Sequence, residues 1–269
     1  MTDVRQAARR AHHSDAVDHA VRVGLVAYGV VHLLVGWLAL QLAFGDREGS
    51  ASSSGALREL AQQPFGRVLV WVVAVGLALL ALWQLLEAAA GHRTLRDRKR
   101  LWHRAASAGK VLVYGYLSYS AFRVAVGAGS SGSGTDSMTA QVMDLPGGQV
   151  LVGLVGAGVV AVGGYLVWKG ITDGFRDDLT SEGQRGNTGD AYLWLGRVGY
   201  AAKGVALGLV GVLFGWAAAT HDARRSGGLD QALQEVLDQP FGPYLLGAVA
   251  LGILGFGLFC FAHARHLSR

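Results

Sequence analysis

Six stretches of the chain are apolar and almost free of charge. Val23–Gly45, Val68–Leu86 and Gly147–Trp168 contain no Asp, Glu, Lys or Arg. Ala105–Phe122 is interrupted only by Lys110, Val198–Thr220 only by Lys203, and Tyr244–Ala264 carries only His263 near its end. Roughly 20 such residues carry a helix across the hydrocarbon of a bilayer. The pattern therefore predicts an all-α membrane protein with six transmembrane helices. The third stretch is the weakest, being short and polar in its YGYLSYS portion. The first is too long for the core of a cleaved signal peptide, so it is read as a span.

The six stretches are not independent. RVGLVAYGVVHLLVGW begins at Arg22, RAASAGKVLVYGYLSYS at Arg104 and RVGYAAKGVALGLVGVLFGW at Arg197, spacings of 82 and 93. The later half of each unit starts at a proline: QPFGRVL at Pro64, LPGGQVL at Pro146 and QPFGPYL at Pro240, spacings of 82 and 94. Two separate anchors with matching offsets define three tandem copies of a two-helix repeat. The chain then divides into a segment 1–21, repeat 1 over 22–93, a basic loop 94–103, repeat 2 over 104–179, a loop 180–196 and repeat 3 over 197–269. Each copy crosses twice, so all three share one orientation. Both a pseudo-threefold ring about the membrane normal and a linear or irregular row of hairpins fit this reading. Between the helices of copies 1 and 3 lie ALRELAQ and LDQALQEVLDQ, whose leucines recur at helical spacing. These read as short helices, lying on the membrane surface or packed on the bundle. Copy 2 has GAGSSGSGTDSMTAQ there, a flexible linker by composition.

Composition agrees with a membrane class: of 269 residues, 51% are hydrophobic and only 16% charged, against about a quarter in soluble domains. The net charge of +5 raises the question of nucleic acid, which the loop positions answer. Sixteen Lys and Arg fall at the ends and in the loops after even stretches, including RTLRDRKR, and six fall in the other loops. The positive-inside rule places both termini in the cytoplasm, with the protein in the plasma membrane, and no nucleic-acid partner is needed. The single cysteine, Cys260, excludes a disulfide framework or a cysteine metal cluster. GAGVVA at 156–161 lies within a span and GSSG at 129–132 within a linker, so neither is read as a nucleotide or nucleophile motif. Neither HExxH nor a P-loop is present. The expectation is a protein without enzymatic activity, cofactor or metal.

The GYAAKGV pattern, the QPFG before even helices and the three tandem helix pairs resemble the domain of unknown function 1206 family of actinobacterial integral membrane proteins. The resemblance covers roughly residues 20 to 265. Copy 2 departs most, with LPGG in place of QPFG. The resemblance implies a class and a membrane location, and no activity.

Aligning the copies on Arg22, Arg104 and Arg197 puts Tyr28, Lys110 and Lys203 at one position, and His32, Tyr114 and Leu207 one turn deeper. Six helical residues span about 9 Å, which places both lysines below the cytoplasmic interface. Two readings stand for them: snorkelling of the stem to the headgroups, or an inward face that binds an anion or lipid headgroup or pairs with a carboxylate. Glu87, aligned with Lys169 and His263, is the carboxylate within reach of Arg22, Arg104 or Lys110. His32 is the histidine nearest mid-membrane, read as a hydrogen-bond donor to a helix carbonyl or as part of a relay. Gly204, Gly208, Gly211 and Gly215 repeat GxxxG along one face, a close-packing signature. The functional expectation is a structural or accessory protein that binds membrane lipids, another membrane protein or a second copy of itself. The alternative is a small transporter or channel with a polar path between the repeats.

Overall fold

The computed structural model describes residues 15–45, 50–90, 97–128 and 135–267. Among them the secondary structure is helical, with turns, two short 3-10 segments and one isolated bridge between Leu179 and Leu267. Each copy contributes a long odd helix, a short helix and a long even helix. Copy 1 forms α1 (Asp15–Ala43), α2 (Ser53–Gln62) and α3 (Gly66–Ala90). Copy 2 forms α4 (Asp97–Ala125), α5 (Thr135–Met143) and α6 (Gly148–Ile171). Copy 3 forms α7 (Gly186–Thr220), α8 (Leu229–Leu237) and α9 (Gly242–Arg265). The copy 2 segment expected to be wholly linker thus contains a short helix like the others, and residues 129–134 lie outside the described part. The expected loops 94–103 and 180–196 are also largely helix, because α4 and α7 begin well before the apolar stretches.

The short helices pack on the bundle. Ala56, Leu57 and Leu60 of α2, and Ala232 and Leu233 of α8, are buried. The Asp230 carboxylate accepts from the Ala51 amide at 2.7 Å, tying the links of copies 1 and 3 together.

The proline motif is a tight turn repeated three times. The amides of Gly66, Gly148 and Gly242 donate to the carbonyls of Gln63, Leu145 and Gln239, each at 2.8 Å. The residue after proline has positive φ in every copy: Phe65 at 61°, Gly147 at 76° and Phe241 at 62°. Proline followed by a positive-φ residue gives a type II turn. This explains LPGG, since glycine adopts that conformation freely while phenylalanine is strained there. The final glycine is required for a different reason: a Cβ on Gly66, Gly148 or Gly242 would strike the carbonyl oxygen of Leu60, Val142 or Leu237.

The long helices pack in the order α4–α3–α1–α9–α7–α6. In a closed ring of three copies, every odd helix would touch the even helix of its own copy and that of the preceding copy. All three between-copy interfaces are present: α4 on α3, α7 on α6 and α1 on α9. Within copies, α1 packs on α3 and α7 on α9, but α4 and α6 share no comparable interface. The architecture is a pseudo-threefold ring parted within copy 2.

Between copies the backbones nearly touch. A Cβ added to Gly204 would lie 2.6 Å from the Gly163 carbonyl oxygen, and one added to Gly29 would lie 2.9 Å from that of Gly257. The proline offset of 94 makes Gly163 and Gly257 equivalent, and Gly29 and Gly204 are equivalent because each lies seven residues after its arginine, Arg22 or Arg197. At the third such interface the Ser118 hydroxyl donates to the Ala74 carbonyl at 2.9 Å. Of the expected GxxxG set, Gly204 and Gly211 are the ones whose missing side chains matter, facing Gly163 and Gly156. Gly208 and Gly215 lend their backbones to the same contacts, while their own Cβ directions are open.

Five helical segments are long and apolar enough to cross a membrane: Asp18–Ala43, Gly66–Leu86, Gly148–Ile171, Gly186–Thr220 and Gly242–Arg265. The expected sixth, α4, has 29 residues, yet its Arg, Lys, Ser and Tyr content keeps it outside that class. Leu112, Val150, Leu154 and Leu251 are each more than half exposed, forming an apolar exterior suited to lipid. Arg197 of α7 sits 5.8 Å from the Trp194 ring, and Arg225, in the 3-10 segment that follows α7, sits 5.0 Å from that of Trp216. Those tryptophans are separated by about 33 Å of helix, close to the ~30 Å hydrocarbon thickness.

Within one turn of Trp194, charge pairs fasten the end of α6 to α7. Arg197 grips Asp173 with two bonds of 2.6 and 2.7 Å, and Arg176 adds a third contact at 2.9 Å. The hydrogen bonds from Arg197 hold the Asp173 carboxyl below the usual carboxylate range, against a smaller opposing effect of burial. A depressed folded-state value stabilises above the unfolded-state pKa and is lost as pH falls through the folded value.

Two outcomes follow from this geometry. Phe241→Gly should stabilise the detergent-solubilised protein by up to about 1 kcal/mol, whereas Gly242→Ala should lower its thermal midpoint. Equal tolerance of both changes would contradict the turn assignment. Asp173→Asn keeps a residue type that accepts the positive φ of 57° at this position. Its thermal midpoint should fall below that of the unmodified protein at neutral pH, and the two should converge in acid below the carboxylate range. A pH-independent difference would contradict the charge pair.

Candidate functional site

The aligned positions Tyr28 and Lys203 meet inside the bundle. The Lys203 ammonium donates to the Tyr28 hydroxyl. It also lies 4.5 Å from the Tyr28 ring centroid and 4.0 Å from that of Phe256. Lys203 is about 13 Å of helix beyond Trp194, farther than a four-carbon stem reaches back to the headgroups. Snorkelling therefore fails for Lys203. Its charge is met instead by a hydroxyl and two ring faces, the two groups that suit an ammonium without a carboxylate.

Around this contact the rings pack edge to face. Tyr28 lies 4.3 Å from His32 and 5.0 Å from Tyr114, and His32 lies 4.9 Å from Phe256. The His32 Nδ1–H donates to the Tyr28 carbonyl of its own helix at 2.9 Å, not to a neighbouring helix. Four of the expected residues, Tyr28, His32, Tyr114 and Lys203, thus form one cluster where copies 1, 2 and 3 converge.

Lys110 behaves differently from its counterpart. It is exposed, and among the described residues no hydrogen bond or ion pair satisfies its ammonium. Lys169 donates to Asp178 at 2.7 Å and stands 4.9 Å from the Tyr200 ring. Of the lysines Lys110, Lys169 and Lys203, only Lys110 has neither a counter-ion nor an acceptor among the described residues.

The remaining expected residues are dispersed. Arg22 is exposed, and Arg197 belongs to the Asp173 clasp. The side chains of Glu87 and Arg104 lie outside the described residues, so the proposed pairing with Lys110 falls there too. Two participants escaped the sequence reading. Phe256 aligns with Leu80 and Val162, so an aromatic replacing two aliphatics was the available signal. Gln84 is buried with its side-chain oxygen unpartnered, and it was legible as the one amide within Val68–Leu86. Among the described residues no three His, Cys, Asp or Glu side chains are placed to hold a metal. The chemistry on offer is recognition by amines and phenols.

Comparison with known proteins agrees with the threefold organisation. The model of the Domain of Unknown Function (DUF1206) family matches residues 23–91, 105–173 and 198–266. The chain is 30% identical over 241 residues to the Uncharacterized protein YxxB of Bacillus subtilis (strain 168), covering 88% of this chain and 86% of that relative. That relative is a Bacillus protein, so an actinobacterial source is not shown. No solved structure matches. Three successive matches over most of its length make the chain a member of the DUF1206 family.

Proposed function

We propose that the protein is a six-span plasma-membrane protein with cytoplasmic termini that binds an anionic membrane component through Lys110, and does not act as an enzyme. The observation that carries this reading is the unpaired Lys110 ammonium. By alignment with Lys203 it sits below headgroup level, where an uncompensated cation carries a cost that reaches roughly 3 kcal/mol at the bilayer centre on insertion scales. A phosphate oxygen supplies both the missing charge and the missing acceptors. The sixth span is α4, whose polar side chains are partly used against α3, as Ser118 illustrates. The basic residues of the N-terminal segment and of the loops on the same side support the cytoplasmic assignment and attract anionic lipid. A through-path for a transported solute has less support, because the Tyr28, His32, Tyr114 and Phe256 rings pack against one another where the copies converge.

Native mass spectrometry from phosphatidylglycerol and phosphatidylcholine mixed vesicles tests the reading. The unmodified protein should retain phosphatidylglycerol preferentially, and Lys110→Ala should lose that preference. Lys203→Ala should chiefly lower the thermal midpoint, because it empties an internal contact. Unchanged phosphatidylglycerol retention in Lys110→Ala would leave Lys110 snorkelling and overturn the proposal.

A further inference from the structure

The ring parts at one particular place, and the repeat shows what is missing there. Residues Ala27, Gly109 and Ala202 are equivalent on the odd helices, and Gly76, Gly158 and Gly252 on the even helices. In copy 1 a Cβ on Gly76 would lie 2.8 Å from the Ala27 Cβ. In copy 3 a Cβ on Gly252 would strike that of Ala202. Both within-copy interfaces thus close on an alanine–glycine contact. In copy 2 the pair is Gly109 and Gly158, and nothing lies within 4 Å of the Cβ position of either. The two smallest residues face an opening where the other copies have a packed seam.

Helical spacing defines the walls of that opening. Leu112, Val113 and Tyr116 share a face with Gly109, and Leu154, Val155 and Val162 share one with Gly158. All six are exposed, from 46% for Val155 to 74% for Leu112. Lys110 adjoins Gly109, and Lys169 lies on the Gly158 face three turns further along α6. The walls are apolar; Lys169 at the end of the α6 face is held by Asp178, which leaves Lys110 as the cation facing the opening. From Lys169 to Leu154 the helix rises about 22 Å, longer than the ~15 Å taken up by the acyl chains of one leaflet.

We propose that the parting between α4 and α6 is a lateral lipid site: an acyl chain of an anionic phospholipid lies between Gly109 and Gly158, with its phosphate at Lys110. The site rests on the Lys110 reading and extends it, because a water-soluble anion would need the lysine but not the apolar slot. The occupant is a lipid by charge complementarity at one end and by length and apolarity along the rest. The glycines give the chain room that any side chain would take up.

Gly109→Leu and Gly158→Leu test the slot, and both are spatially tolerated because nothing lies within 4 Å of either Cβ position. Gly164→Leu is the control: it too has open space, but it lies off the Gly158 face. In native mass spectrometry from the same mixed vesicles, each slot variant should cut phosphatidylglycerol retention roughly tenfold or more, with Gly164→Leu unchanged. Full-length phosphatidylglycerol should outcompete the dihexanoyl form and inorganic phosphate. If Lys110→Ala loses the lipid while both slot variants keep it, the headgroup contact survives and the slot is wrong. Equal competition by inorganic phosphate overturns the lipid assignment. A dimer or a bound polypeptide that disappears in the slot variants would make the occupant a second copy or another protein, and overturns it too.

Discussion

Close approach of helix backbones between copies is the constraint on which this structure depends. Lipid tails are as apolar as leucine, so helices in a bilayer gain little from burying apolar surface and must gain from contact. Glycine permits that contact: Gly29 against Gly257 and Gly204 against Gly163 bring carbonyls within reach of a neighbouring Cα. These two contacts occupy equivalent places in the repeat. The contact that joins copy 3 to copy 1 is thus the same as the one that joins copy 2 to copy 3, which is what makes the arrangement a ring.

The parting of that ring follows from copy 2 being the divergent copy. It carries LPGG for QPFG, a glycine–serine stretch in its link, and polar residues throughout α4. Its two helices are each held by a neighbouring copy, α4 by α3 and α6 by α7, and not by each other. Lys110 and Lys203 show the functional consequence. Lys203 lies in a copy with a closed seam and is enclosed by Tyr28 and Phe256. Lys110 lies beside the open seam and is exposed.

Much of this was legible in the sequence. The arginine and proline spacings located three copies, and the charge-free stretches located the long helices. The shared position of Tyr28, Lys110 and Lys203 was legible as well. What escaped was everything set by contacts between copies. No local pattern distinguishes Lys203 from Lys110, because their surroundings come from α1 and α9 in one case and from an opening in the other. The type II turn was also hidden, since phenylalanine at positive φ runs against its usual preference; only glycine at the equivalent Gly147 hinted at it. The helices within 94–103 and 180–196 were missed because they extend beyond the apolar stretches that defined the spans.

The most direct test of the open ring is a pair of distances in liposomes, read by spin labels in a Cys260→Ser background. Leu112 and Leu154 report on α4 and α6, while Val205 and Ala248 are the equivalent positions on α7 and α9, and all four side chains are exposed. The account predicts a distinctly longer distance for the copy 2 pair than for the copy 3 pair. Matching distances would mean that the ring is closed, and would contradict it.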